Sequence, residues 1–236
     1  MPPSVVIDPT GDLLLQIPIQ PSTPLSDDFS WPGTPSTVAT NTPIFTNPQE
    51  AHEGTGNVDR PETQELQVAS KVLAVASPVF RALIYGQFSE AVDISKARNA
   101  TDSPLTELPL PEDDAEAMML LCKVLHFAIG DIPNFPEPQL LERLACVCDK
   151  YCCVQVLKFC GGIWVRNWLV KYKVDPPETP DICRLFIFTY VAGLESEFSD
   201  IAWTLLLHHR GPFSKPGSTA ARILDHPLLL SSVLSR

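Results

Sequence analysis

The residues of this 236-residue chain that invite chemistry are its cysteines, its histidines and one Asp-Lys-Tyr run. Five of seven cysteines, Cys146, Cys148, Cys152, Cys153 and Cys160, crowd one stretch, which raises the question of a zinc site. Helix geometry argues against it. On a helix, Cys148 and Cys152 share an apolar face with Leu140, Leu141, Leu144 and Tyr151, while Cys146 and Cys153 point away. Those two stand about 10 Å apart along the axis, too far to share one ion at Zn–S distances of about 2.3 Å. Packed core thiols are expected, and no metal. Nucleophilic catalysis needs a thiolate or hydroxyl beside an oriented base. The histidines, His52, His126, the adjacent His208 and His209, and His226, have no Cys or Ser elbow with them, and no glycine-rich phosphate loop occurs. His126, in mid-helix, reads as a satisfied interior or boundary residue. Asp149-Lys150-Tyr151 imitates a catalytic Tyr-Lys pair in spelling only, because Tyr151 lies on the core face as a packed ring with a bonded hydroxyl. No catalytic residue and no cofactor are expected; a cysteine or histidine hydrolase is the outside alternative.

Charge narrows the partners. With 17 Lys+Arg against 28 Asp+Glu the net charge is −11, which disfavours a nucleic-acid backbone and an anionic membrane surface alike. There are no paired zinc-finger ligands and no basic helix for DNA. No basic residue precedes Arg60, so neither a secretory leader nor an Arg-rich transit peptide is expected. The longest apolar run, 185–194, has about half the length of a membrane span. The expectation is a soluble intracellular protein, cytoplasmic or nuclear, with reduced cysteines.

The elements that must position these residues follow from periodicity. An apolar triplet and a turn at 8–11 lead into a strand over 12–17. Eight prolines between Pro18 and Pro61, among Ser, Thr, Asn and Asp, leave no apolar period, so 18–64 is expected to be a disordered Pro/Ser/Thr-rich insert. Its Phe29, Trp31, Ile44 and Phe45 are expected to be exposed. Residues 65–68 alternate as a strand that pairs with the first across the insert. Ser70 is expected to cap a short helix over 71–76. Ser77 caps the next, with Pro78 at its first position and Gly86 as terminator. The strand 108–110 contains Pro109 and belongs at an edge or strand end. Asp113 and Glu116 form a capping-box pattern for a helix whose core stripe is Ala117, Leu121, Val124, Leu125 and Ala128. The helix over 140–152 must break near Cys153 and Val154, because Leu157, Cys160, Trp164 and Trp168 fall on a different angle. Helices over 181–190 and 198–207, joined around Gly193, follow, and a last one over 223–234 is expected. Strands, helices, one more strand and then helices only make an α+β fold, a small sheet capped by a helical cluster.

Gly11-Asp12-Leu13-Leu14-Leu15, Leu66-Gln67-Val68-Ala69-Ser70-Lys71-Val72-Leu73 and Ala76-Ser77-Pro78-Val79-Phe80 closely resemble the BTB/POZ domain. Gly86-Gln87-Phe88-Ser89-Glu90, Leu108-Pro109-Leu110-Pro111-Glu112-Asp113-Asp114 and Asp149-Lys150-Tyr151 continue the resemblance in order. Its wording is that of the fungal-type family, whose C-terminal helical extension is resembled by Leu185-Phe186-Ile187-Phe188, Gly193 and Phe198. The resemblance covers about 8–17 and 65–207, and implies a BTB/POZ-like domain over 5–175 with a small mixed sheet, followed by a helical extension over 176–236. It implies a non-enzymatic protein–protein interaction module, in its leading form a substrate adaptor or scaffold for a cullin-type ubiquitin ligase. The alternative is a self-associating scaffold with no ligase link. The family's cullin contact includes a hydrophobic-x-Glu motif after the Ser-Pro-x-Phe helix, and Phe88-Ser89-Glu90 stands there as partner-binding candidate. Three departures stand out: the long insert in the hairpin, Gly161-Gly162 within a helix, and only about ten residues before the first strand. The long leading helix that builds the dimer in animal members is not expected here, so a homodimer of this chain, where one forms, is not expected to be built that way.

Overall fold

The computed structural model describes residues 4–19, 62–86, 105–209, 211, 218, 221 and 225–229. Among them run β1 (Ser4–Val6), β2 (Leu13–Pro18), β3 (Thr63–Val68), α1 (Ser70–Ala76), α2 (Pro78–Tyr85) and β4 (Thr106–Pro109). Five longer helices follow: α3 (Ala115–Leu125), α4 (Pro138–Lys150), α5 (Leu157–Tyr172), α6 (Thr179–Val191) and α7 (Glu195–His208). The chain is α+β, a four-stranded mixed sheet followed by helices.

Alternation sets the sheet's register. Leu13, Leu15 and Ile17 of β2 are fully buried, and the residues between them are not. β2 pairs antiparallel with β3, setting Leu13 opposite Val68 and Leu15 opposite Leu66. On its other side β2 pairs parallel with β4, setting Leu13 opposite Thr106 and Leu15 opposite Leu108. Directly opposed residues share a face, so these rows make one apolar wall, and a one-residue slip would turn it to water. Among the described residues β4 is an edge strand, where Pro109 is tolerated. At the other edge β1, which the sequence reading left as an apolar triplet, pairs parallel with β3. The strands also trim the expected insert. Pro18 pairs with Thr63, and Ile19 N–H donates to Glu62 O at 2.6 Å. The disorder expected for 20–61, and most of the helix expected over 223–234, lie outside the described residues.

Several helix ends differ from the expectation, each for a stated reason. Ser70 does not cap α1 with its own side chain; the Asp12 carboxylate accepts from Ser70 N–H at 2.8 Å and from its hydroxyl at 2.7 Å. A carboxylate also suits the positive end of the helix dipole. Ser77 caps α2 as expected, accepting from Phe80 N–H at 3.0 Å. The cap of α3 is Asp114, which accepts from Ala117 N–H at 2.8 Å, rather than Asp113. Asp113 is instead buried, accepting from the Tyr151 hydroxyl at 2.6 Å and from Lys150 Nζ at 2.9 Å. Tyr151 is thus the packed ring with a bonded hydroxyl that was expected, stacked on Phe80 at 4.1 Å. Burial, then the bond to Asp113, pushes its phenol well above the usual range.

Helix α5 begins after the expected break, and its two glycines have a packing reason. A Cβ on Gly161 would stand 3.1 Å from Leu194 and 3.2 Å from Phe188. One on Gly162 would meet the Arg166 guanidinium at 3.1 Å and the Glu197 carboxylate at 3.2 Å. Each glycine costs about 1 kcal/mol of helix propensity, and in return the α6–α7 corner closes on α5.

Because the ends of the 20–61 segment are held by paired strands, replacing it with a four-residue turn is expected to leave the fold standing. Loop-closure entropy predicts an effect between neutral and about 2 kcal/mol of stabilisation. Chemical denaturation checks this, and a lost cooperative transition would show that the segment packs into the core.

Candidate partner-binding site

Phe88, Ser89 and Glu90 lie outside the described residues, which break off after Gly86. What the described residues bring together is an apolar groove of about 1040 Å³ between α1, the end of α3 and the start of α5.

The first wall is α1, anchored to Asp12, which presents Val72, Val75 and Ala76, with Val75 exposed. The turn Ile7-Asp8-Pro9 that leaves β1 borders it, and Lys71 stands at the rim. Asp8 accepts from Thr10 N–H and hydroxyl, both at 2.8 Å, which lowers its pKa and keeps it a rim anion.

The second wall begins where α3 ends. Phe127 N–H donates to Val124 O at 3.2 Å and Ala128 N–H to Lys123 O at 3.0 Å, a double bond pattern that closes a helix through a left-handed residue. That residue is Phe127, at φ 54°. Glycine usually fills this position, since a Cβ there costs roughly 1–2 kcal/mol. The helix therefore stops at Leu125, and Ala128, expected in its core stripe, is only half-buried in the following turn. His126 caps the helix rather than sitting within it. Its Nε2 accepts from Ala69 N–H at 3.0 Å and its Nδ1 meets Cys122 O at 2.8 Å. The two partners require a neutral ring protonated on Nδ1. His126 thereby ties the end of α3 to the start of α1 and aims Phe127 outward, 75% exposed.

The third wall is α5. Its back is pinned by Trp164 Nε1 donating to Pro133 O at 3.0 Å, Trp168 Nε1 to Pro136 O at 2.9 Å and Asn167 Nδ2 to Asn134 O at 2.8 Å. With that side held, Phe159 and Ile163 face solvent, Phe159 at 79% exposure. Val170 and Val174 continue the same exposed strip, one 3.6-period face with no described neighbour over it.

The remaining candidates stand apart. His208 and His209 lie at the end of α7, and His52 is outside the described residues. His226 is buried, with Nε2 3.7 Å from Glu142, and desolvation draws its pKa down to about 4. Cys148 is buried as expected, but Cys152 is not. Helix α4 ends at Lys150, Cys152 takes φ 52° and is exposed, and Cys153 turns inward instead. Among the described residues no group of three or more His, Cys, Asp or Glu could hold a metal ion. No helix among them is long and apolar enough to cross a membrane. No protein-family model matches this chain, and no curated protein matches it.

Sequence reading missed the groove, although a signal was present. Val156, Phe159, Ile163 and Val170 oppose Leu157, Trp164 and Trp168, so α5 is apolar on two faces, and the pinned back can bury only one. Phe127→Gly relieves a left-handed aromatic that contributes little packing, and should stabilise the fold by about 1 kcal/mol. Equilibrium denaturation reads this directly; a loss of stability would mean that the Phe127 ring packs within its own chain.

Proposed function

We propose that this chain is a non-enzymatic protein-binding module of BTB/POZ-like architecture, taking its partner in the groove between α1, the end of α3 and α5. The carrying observation is Phe127, a large aromatic side chain held in a strained conformation and turned to water. Folding alone favours glycine there, whereas an aromatic anchor entering a partner's pocket accounts for the residue. The architecture is supported by the β2–β3 hairpin, the Ser77-Pro78 joint between α1 and α2, and β4 lying parallel beside β2. Helices α6 and α7 are then the start of the C-terminal extension.

The leading role is adaptor or scaffold for a cullin-type ubiquitin ligase, resting on the family resemblance of Phe88-Ser89-Glu90. Self-association without a ligase link is the second reading. It is favoured by the margin position of β1, which pairs only with β3 among the described residues and opens beside the groove.

Light scattering on the full chain separates a 26.0 kDa monomer from a dimer, and titration with a cullin N-terminal domain tests the ligase role. For the ligase role, Phe88→Ala and Glu90→Ala should each weaken cullin binding roughly 30-fold with the melting temperature unchanged. For the groove, Phe127→Gly and Phe159→Ala should weaken whichever association the wild type makes, while Phe127→Gly raises the melting temperature. Stabilisation together with lost binding is a signature that a core residue does not produce. A monomeric wild type that binds no cullin leaves neither role standing, and association untouched by Phe127→Gly overturns the groove.

A further inference from the structure

Helix α4 ends in a turn that places two thiols against each other. Cys153 N–H donates to Cys148 O at 2.9 Å and Cys152 N–H to Asp149 O at 2.9 Å, with Cys152 in the left-handed region. This closure folds the second residue past the cap back over the last helical turn, where an apolar contact usually forms. Here both members of that contact are cysteines. Cys148 is fully buried and Cys153 is 2% exposed, so the closure sets both thiols inside one buried turn.

We propose that Cys148 and Cys153 are a redox pair, oxidised by hydrogen peroxide to a disulfide across the end of α4. The roles follow from position: Cys153 lies in the turn beyond the helix, beside exposed Cys152, and Cys148 in the last helical turn. The neighbouring Cys148 thiol draws the Cys153 thiol below the ordinary range, while burial raises Cys122, Cys146, Cys160 and Cys183. The thiolate is the nucleophile. Cys153 Sγ attacks one peroxide oxygen, the O–O bond breaks, and a sulfenic acid and hydroxide result. Cys148 Sγ then attacks the sulfenyl sulfur; the S–S bond forms and the S–O bond breaks. The departing hydroxide takes the Cys148 proton and leaves as water, and the proton that Cys153 lost on ionising neutralises the hydroxide of the first step. Two thiols and one peroxide become one disulfide and two waters. Peroxide reaches the pair through the surface turn that Cys152 marks, and a non-glycine residue in that conformation makes the turn easier to open than a glycine-capped one.

The full chain is treated with equimolar hydrogen peroxide under native conditions, its remaining thiols are blocked, and it is digested with trypsin. Cleavage after Arg143, Lys150 and Lys158 puts the two cysteines on separate peptides, 144–150 and 151–158. The expected main product is these two peptides joined, lighter by two hydrogens and separated by reductant. Fragmentation of the joined pair locates the bond at Cys148 and Cys153 in the wild-type protein, independent of any variant's folding. The link should persist in Cys146→Ser and Cys152→Ser and vanish in Cys153→Ser. A link lost in Cys152→Ser, a link formed only after denaturation, or peroxide consumed at Cys152 with Cys148 and Cys153 still reduced would overturn the proposal.

Discussion

Residue 151 is where three separate connections of this fold meet, and its hydroxyl bond to a buried carboxylate is the constraint on which they depend. Taking Asp113 out of water costs several kcal/mol unless donors replace the solvent. Tyr151 and Lys150 supply them, at 2.6 and 2.9 Å, as charge-assisted bonds. Asp113 sits immediately before the cap of α3, so anchoring it sets the path from β4 into that helix. The Tyr151 carbonyl accepts from the Ser77 hydroxyl at 2.5 Å, and its ring lies parallel to Phe80, 7° between planes. The joint between α1 and α2 is therefore set by the same residue that ends α4. Sheet, first helix pair and helical cluster are held in one arrangement by a single side chain and its backbone.

The groove is the reverse case, where local free energy is not minimised. Two helix ends, α3 and α4, close through left-handed residues that are not glycine, Phe127 and Cys152, while the α6–α7 corner closes the same way through Gly193 at φ 63°. The three closures share one hydrogen-bond pattern, so the pattern does not explain the difference in residue. At Phe127 the side chain offers an exposed aromatic surface, and at Cys152 the turn sets Cys153 inward over Cys148.

What was legible in the sequence follows from range. Alternation in 12–17 and 65–68 showed the hairpin, because a buried strand needs only its own pattern and one partner. Ser77-Pro78 and the break before Leu157 were readable because caps and angular shifts are local. Asp113 was mistaken for a cap because Asp113 and Asp114 are equivalent in spelling, and only Tyr151, 38 positions away, separates their roles. The inward side of Cys153 depended on where α4 stopped, since two residues of extra helix turn Cys152 into the core and Cys153 out of it. The groove needed three elements at once. Nothing in the spelling of Phe127 or Phe159 indicates that α1 lines the same groove.

The hydrogen bond that joins Ile19 to Glu62 has a consequence for what this molecule can carry. Chain leaves the sheet and returns to it through one opening, its two sides separated by the width of neighbouring strands, about 5 Å. A folded guest whose own termini lie that close could be spliced in without pulling β2 and β3 apart. The opening sits at the far end of the hairpin from Gly11 and Val68, about one strand length from the turn that borders the groove. Cargo displayed there and a partner held in the groove would occupy opposite ends of the same sheet. That separation makes the hairpin a mounting point at the far end of the sheet from the groove.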